Sequence, residues 1–468
     1  MKSRWHSIAV VVLLAISASL LLGSVAPSSQ VKGDVDSLKA ALKQAGFLVP
    51  QKDSVLASFD MPSEVCCPAN AKFKCMYNNV NAPYLVSKVE PGPGEVTVPL
   101  PNNNFHLGQN EALILIGQTP PHMAYFSYTV FMGSRRTTRF PYNFGIFSLV
   151  NAYVADSINN MTVHTSGPPN DPFNRQMLLF IVADQEVEAR VREAARKAGY
   201  PPSMFNTIVL PPAVLHLGVD AMADSFFLVQ RTAVPQEQAA LDEYLTHSQT
   251  LLRVTLQDPA WQPKPIPVPK VAVRGTGQTE LDLVPAVDAL GEAIEARYPD
   301  KDATEQKLDW FYWQGFTGLQ EEENQMAPSS DAVGPRSLPF KLPKGSFAIV
   351  FGVNHHATGK TSYSSFSLYE DTLWLGLDSV FDPQYAGSAT DYLPADTPDV
   401  DKLYAWKIAW DCGDDPHCMT IKRPDCARLT LTDESPYKII FRLYLEPATK
   451  TGPEIREIAF DRVLLFQP

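Results

Sequence analysis

The feature that most constrains this chain is a series of six short motifs that occurs twice in the same order. Each series opens on an apolar run ending in glycine, ALILIG to Gly117 and FAIVFG to Gly352. A histidine-bearing loop follows, QTPPHM with His122 and VNHHATGK with His355 and His356. Next come an aromatic alternating run (FSYTVF, 126–131, and SSFSLY, 364–369) and an Asp-Ser pair (Asp156-Ser157 and Asp378-Ser379). Another run ends in aspartate, LLFIVAD to Asp184 and YAWKIAWD to Asp411. The last carries an arginine, Arg231 in FFLVQRTAVP and Arg442 in KIIFRLYLEP. Short apolar or alternating runs bounded by turn residues predict strands. Six such features in one order predict a duplicated β-rich unit, residues 108–255 and 344–468.

Helical signals are few. DVDSLKAALKQAGF (34–47) and VEARVREAARKAG (187–199) place apolar residues at helical spacing, the second ending on a glycine. DPAWQPKPIPVPK (258–270) reads as an extended proline-rich linker. Leu283 to Leu319 reads as helical, with VDALGEAIEARY as its best part. Its aromatic cluster, LDWFYWQGF (308–316), is expected to fill a core. The fold expected is mainly β (α+β), with two related β-sandwich or jelly-roll-like units and helical segments between them. An N-terminal segment (27–107) precedes them, and residues 256–343 form the linker and helical insertion.

The N-terminus narrows the compartment. Lys2 and Arg4 precede a charge-free run from Ile8 to Val25, and Ser24-Val25-Ala26 ends it with small residues, the layout of a secretory signal over 1–26. An uncleaved anchor is the alternative, and it would be the chain's one link to a membrane. The six cysteines fall in two clusters, Cys66, Cys67 and Cys75, then Cys412, Cys418 and Cys426. In an exported chain they predict disulfides, and three per cluster requires one bridge between clusters or a free thiol. The spacing of Cys412, His417, Cys418 and Cys426 fits no standard zinc pattern, so neither metal nor cofactor is expected. Net charge is −12, or −14 once residues 1–26 are removed, which disfavours nucleic acid.

Chemistry-bearing residues gather in the repeated motifs. FGVNHHATGKTSYSS (351–365) has six residues between Gly352 and Gly359 where a phosphate loop has four. The text after it alternates like a strand, so nucleotide binding is not expected. If the two units pair, His122, His355 and His356 are expected to meet in a cleft with Asp156 or Asp378. Arg231 and Arg442 would grip an anionic group there or form structural ion pairs. Asp184 and Asp411 are candidates for a paired-carboxylate site or for turn closure. Asn160-Met161-Thr162 is a glycosylation sequon.

VADSINN resembles the nucleophile block of GDSL-type (SGNH) hydrolases, with Ala155 where that family has glycine. DDPH resembles the family's closing Asp-x-x-His block. The resemblance implies Ser157 as nucleophile, His417 as base and Asp414 as its carboxylate. It covers only these blocks. Two functions are therefore expected: binding of an organic or carbohydrate-like ligand between the units, or hydrolysis of an ester or glycoside.

Overall fold

The computed structural model describes residues 33–80, 82–96, 104–136, 143–144, 147–310 and 329–468. The signal-like segment and most of the aromatic cluster lie outside these residues.

The first half contains α1 (Val35–Gln44), β1 (Ser54–Phe59), β2 (Tyr84–Lys88), β3 (Glu111–Gln118), β4 (Met123–Arg136), β5 (Phe147–Tyr153), β6 (Ile158–Asn159), β7 (Gln176–Val182), α2 (Gln185–Lys197), β8 (Phe205–Val209), β9 (Ser225–Pro235), α3 (Gln238–Thr246) and β10 (Gln249–Leu256). One curled sheet runs β8-β7-β3-β10-β1-β2-β9-β4-β5. Its two ends fold over each other. Leu113, Leu115, Leu179 and Leu251 from one end share a core with Phe126, Tyr128, Val130 and Leu228 from the other. The alternate side chains of β3, β7 and β10, among them Ile114, Phe180 and Leu252, pack instead on α1 and α2. ALILI is thus continuously apolar because both faces of its strand are covered.

The second half contains α4 (Val284–Arg297), β11 (Asp302–Glu305), β12 (Phe347–Val353), β13 (Tyr363–Glu370), β14 (Leu375–Phe381), β15 (Leu403–Ala409), β16 (Cys418–Thr420), β17 (Pro436–Tyr444) and β18 (Arg462–Gln467). Here two sheets face each other. One runs β11-β18-β12-β15-β16, and the other is centred on β17-β13-β14. Val350, Ile408 and Val463 meet Phe366, Ile439 and Phe441 between them. On the outer face, Ile349, Phe351 and Leu464 pack on Val287, Leu290 and Ile294 of α4. The mainly β expectation holds, with face-to-face sheets in both halves.

Several strands have the same neighbours in both halves. β3 lies between β7 and β10, and β12 lies between β15 and β18. β4 lies between β9 and β5, and β13 lies between β17 and β14. Each half has a parallel pair in the corresponding place, β7–β8 and β15–β16. Register agrees too. Gly117 stands opposite Met177, and Gly352 opposite Tyr404. Ser127 faces Arg231 and Asn159, while Ser365 faces Arg442 and Phe381. Both glycines serve one purpose: a Cβ on Gly117 would strike the Gln249 amide, and one on Gly352 would strike Asp461.

Segment boundaries differ from the expectation in two places. The N-terminal segment is divided: β1 and β2 lie in the middle of the first sheet, whereas Cys66 to Val80 lies on the second half. The inserted helix stops at Arg297, because Pro299 disfavours helix at Tyr298, and 302–305 is strand instead. α4 covers a sheet and does not separate the units.

All six cysteines are bridged, as Cys66–Cys75, Cys67–Cys426 and Cys412–Cys418. Of the two expected outcomes, a bridge between clusters or a free thiol, Cys67–Cys426 is the bridge. No described helix is long and apolar enough to cross a membrane.

Candidate functional site at the seam

Where the halves meet, equivalent side chains meet as well. Tyr125 stands two residues before Ser127, and Tyr363 two before Ser365; their rings are 5.8 Å apart. Tyr444 packs on both, at 4.7 Å and 4.8 Å. Beside these rings lies a cavity of about 380 Å³, within the ~300–1,000 Å³ range of small-molecule sites. Its walls come from the β5–β6 turn with Asp156 and Ser157, the proline-rich linker at 269–272, Asp331, and the turn at 449–451.

Ser157 is buried among hydroxyls. Its Oγ is 2.7 Å from Thr129 Oγ1 and accepts from Ser330 Oγ at 3.2 Å, while its N–H donates to Ser330 Oγ at 2.9 Å. Asp331 is 1% exposed. Its Oδ1 accepts from Asn159 Nδ2 at 3.0 Å, and its Oδ2 is 3.1 Å from the Tyr125 hydroxyl. Burial pushes its pKa up to about 7, against the lowering effect of Asn159 and Tyr125. Tyr125 Oη is also 2.7 Å from Ser127 Oγ, whose hydroxyl can donate to the phenol oxygen while the phenol donates to Asp331. Asp156 is half-buried; burial raises its pKa against the Ala272 N–H donated to it at 2.6 Å.

The loop carrying Asp331 is held from three sides. Thr451 Oγ1 donates to Ser330 O at 2.8 Å, and Arg274 donates to Ser330 O at 2.9 Å and Ala332 O at 3.1 Å. The Leu445 N–H donates to Asp331 O at 2.7 Å. The carboxyl is thereby fixed at the cavity wall.

The histidines do not converge. His122 is exposed, 3.9 Å from Asp171 and packed on Phe173 at 4.7 Å. His355 is buried, with Nδ1 2.7 Å from Glu280 and Nε2 3.4 Å from Asp461. Burial lowers its pKa, but the two carboxylates outweigh that and hold it at about 10. His356 is exposed, 3.7 Å from Asp382. The physical reason is position: β12 runs inward beneath α4, so its loop turns into the second half. Lys360 follows it, with Nζ bonded to Glu446 at 2.7 Å, to Gln278 O at 2.9 Å and to Glu457. It closes a buried ion cluster and is not a phosphate-loop lysine.

Nor does the structure assemble Ser157, Asp414 and His417. His417 Nδ1 bonds Asp391 at 2.6 Å and its ring packs on Trp406, while the partners of Ser157 are hydroxyls. Asp184 caps α2 through the Glu186 and Val187 N–H groups. Asp411 closes a turn on the Gly413 N–H. Arg231 lies over the Phe131 ring at 5.1 Å, and Arg442 over the Tyr369 ring at 5.5 Å. Arg442 also donates to Tyr369 Oη at 2.6 Å and Tyr77 O at 2.7 Å. Asp378 accepts the Ser379 N–H at 2.8 Å, and Ser379 Oγ donates to Val80 O at 3.0 Å, under the N-terminal segment. Of the expected site residues, the seam cavity gathers Asp156 and Ser157.

Sequence reasoning missed Asp331 because QEEENQMAPSSDAVGPRS carries no periodicity. The only signal was a lone aspartate in a serine- and proline-rich stretch, which describes any loop.

No protein-family model and no curated protein matches the chain. Among solved structures, it is similar to an uncharacterized protein from Burkholderia cenocepacia at 9% identity, covering 92% of this chain and 86% of that one, with a TM-score of 0.40.

Proposed function

We propose that this is an extracytoplasmic protein built from two copies of one β unit, and that its seam cavity binds a polyhydroxylated, carbohydrate-like ligand. The observation that carries the reading is Asp331, a buried carboxyl on the wall of a cavity whose polar lining also includes Asp156, Ser157, Thr162, Lys270, Thr449, Lys450 and Thr451. Hydroxyl groups of a ligand offer both donors and acceptors, which such a mixed lining needs. Matching strand order and register support the duplication, and three disulfides fit an oxidising compartment.

Titration calorimetry against a panel of mono- and disaccharides tests the reading. A binder should lose at least about tenfold in affinity with Asp331→Ala, a cost of the order of one buried hydrogen bond. If no sugar binds, or if Asp331→Ala binds as the wild type does while remaining folded, the reading is wrong.

A hydrolytic reading rests on a separate observation: Asp156 and Asp331 both line the cavity and both hold their protons more tightly than ordinary aspartates. That favours glycosides over esters, because Ser157 lacks a histidine base. Aryl glycosides should then be cleaved by the wild type and left intact by Asp331→Asn.

A further inference from the structure

The first half contains another cavity, of about 770 Å³, at the end of β3 remote from the seam lining. Its lining is mixed: Met177, Met204 and Tyr200 are buried, and Gln118, Asn174 and Gln176 add polar groups. Asp34, Glu243 and His247, all exposed, also line it, and no lysine or arginine does.

Gln249 also lines it, at 8% exposure. The Gln249 Nε2 is engaged by Tyr244 Oη and by Gln118 O at 3.2 Å, whereas its Oε1 is buried without a partner. A buried unpaired acceptor is costly and is met by a donor from outside the chain. The matching position in the second half explains what is unusual here. Asp461 stands against Gly352 as Gln249 stands against Gly117, and Asp461 has its donors, His355 Nε2 at 3.4 Å and Tyr404 Oη at 2.8 Å. The first half keeps the acceptor and supplies no histidine to it.

We propose that this cavity binds a protonated primary amine with an apolar body. The ammonium brings N–H donors for the unpaired acceptor and a charge matched to Asp34 and Glu243. The Tyr200 and Tyr244 rings and the methionines take the apolar part.

The probe is phenethylamine at pH 7.5, where it is a cation, with 2-phenylethanol as its neutral counterpart, followed by calorimetry on the full folded chain. Saturable binding is expected, at least about tenfold weaker for the alcohol. Glu243→Gln alters only an exposed side chain, so it should fold normally and weaken the amine several-fold. Gln249→Leu should weaken amine and alcohol alike, since each carries a donor for the lost acceptor. Absence of saturation at about 20 mM amine, equal affinity for the alcohol, or an unchanged Glu243→Gln variant each overturns the proposal.

Discussion

The two halves place equivalent side chains in equivalent registers, yet each finishes them differently. In the second half the Asp378-Ser379 edge is covered. Asn78 Oδ1 accepts the Gly376 N–H at 3.2 Å, Asn78 O accepts from Tyr369 Oη at 2.9 Å, and Val80 O accepts from Ser379. The covering segment is tied down by Cys66–Cys75 and Cys67–Cys426. In the first half the matching edge, Asp156-Ser157, faces a cavity. A contrast recurs at the glycine ends, where His355 bonds Asp461 in the second half and Gln249 Oε1 is without a partner in the first. Both halves hold buried ion pairs, Arg253 with Glu95 and Glu111 in the first and Lys360 with Glu446 in the second. The difference lies at the edge: a disulfide-tied segment covers Asp378-Ser379, whereas Asp156-Ser157 lines a cavity.

The largest effect expected is at His355. Replacing it by alanine leaves Glu280 and Asp461 buried without their cation, at a cost of about 3–5 kcal/mol in denaturant unfolding. Gln249→Ala, the matching change in the first half, should cost about 1–3 kcal/mol. Equal losses would erase the distinction between the two ends.

The disulfide staple comes next. Cys67→Ser with Cys426→Ser should lower stability by about 2–5 kcal/mol and make residues 60–80 sensitive to limited proteolysis. Retained protease resistance would mean that the hydrogen bonds of Asn78 and Val80 hold the cover unaided. A smaller loss is expected at Arg442. Arg442→Lys should cost about 1–3 kcal/mol, because a lysine cannot reach Tyr369 Oη and Tyr77 O together.

The smallest effect is a slope with pH. The pKa of Asp331 is about 7 in the folded chain against an ordinary 3.8, so its contribution is complete below pH 3.8 and is lost as pH rises through about 7. Thermal midpoints should therefore fall between pH 5 and pH 8, and fall less in Asp331→Asn. His355 acts in a higher, adjoining window. Its pKa is raised from 6.5 to about 10, so its contribution is complete below pH 6.5 and is lost progressively as pH rises from there through about 10. A variant slope identical to the wild type would remove Asp331 from the account of the seam.

Much of the scaffold was legible in the sequence. ALILIG and FAIVFG announced buried strands because both of their faces are covered, and strand burial depends on nearby residue pattern. The spacing of Asp184 before α2 and of Gly199 after it set that helix's limits for local reasons of capping. Three cysteines in each cluster required a link between clusters or a free thiol. Which histidine faced which carboxylate was not legible, because His355 and Glu280 are 75 residues apart and meet only when α4 packs on β12.

The sequence by itself determined the mainly β character and that the cysteine clusters hold either a cross-link or a free thiol, since periodicity and pairing arithmetic are properties of the chain alone. Only the tertiary structure decided that Asp156 and Ser157 face a cavity while Asp378 and Ser379 lie under a cover. The physical reason is that equivalent strands acquire different neighbours. The linker and the Asp331 loop reach the first edge, the Cys66–Val80 segment reaches the second, and no local pattern encodes which segment arrives.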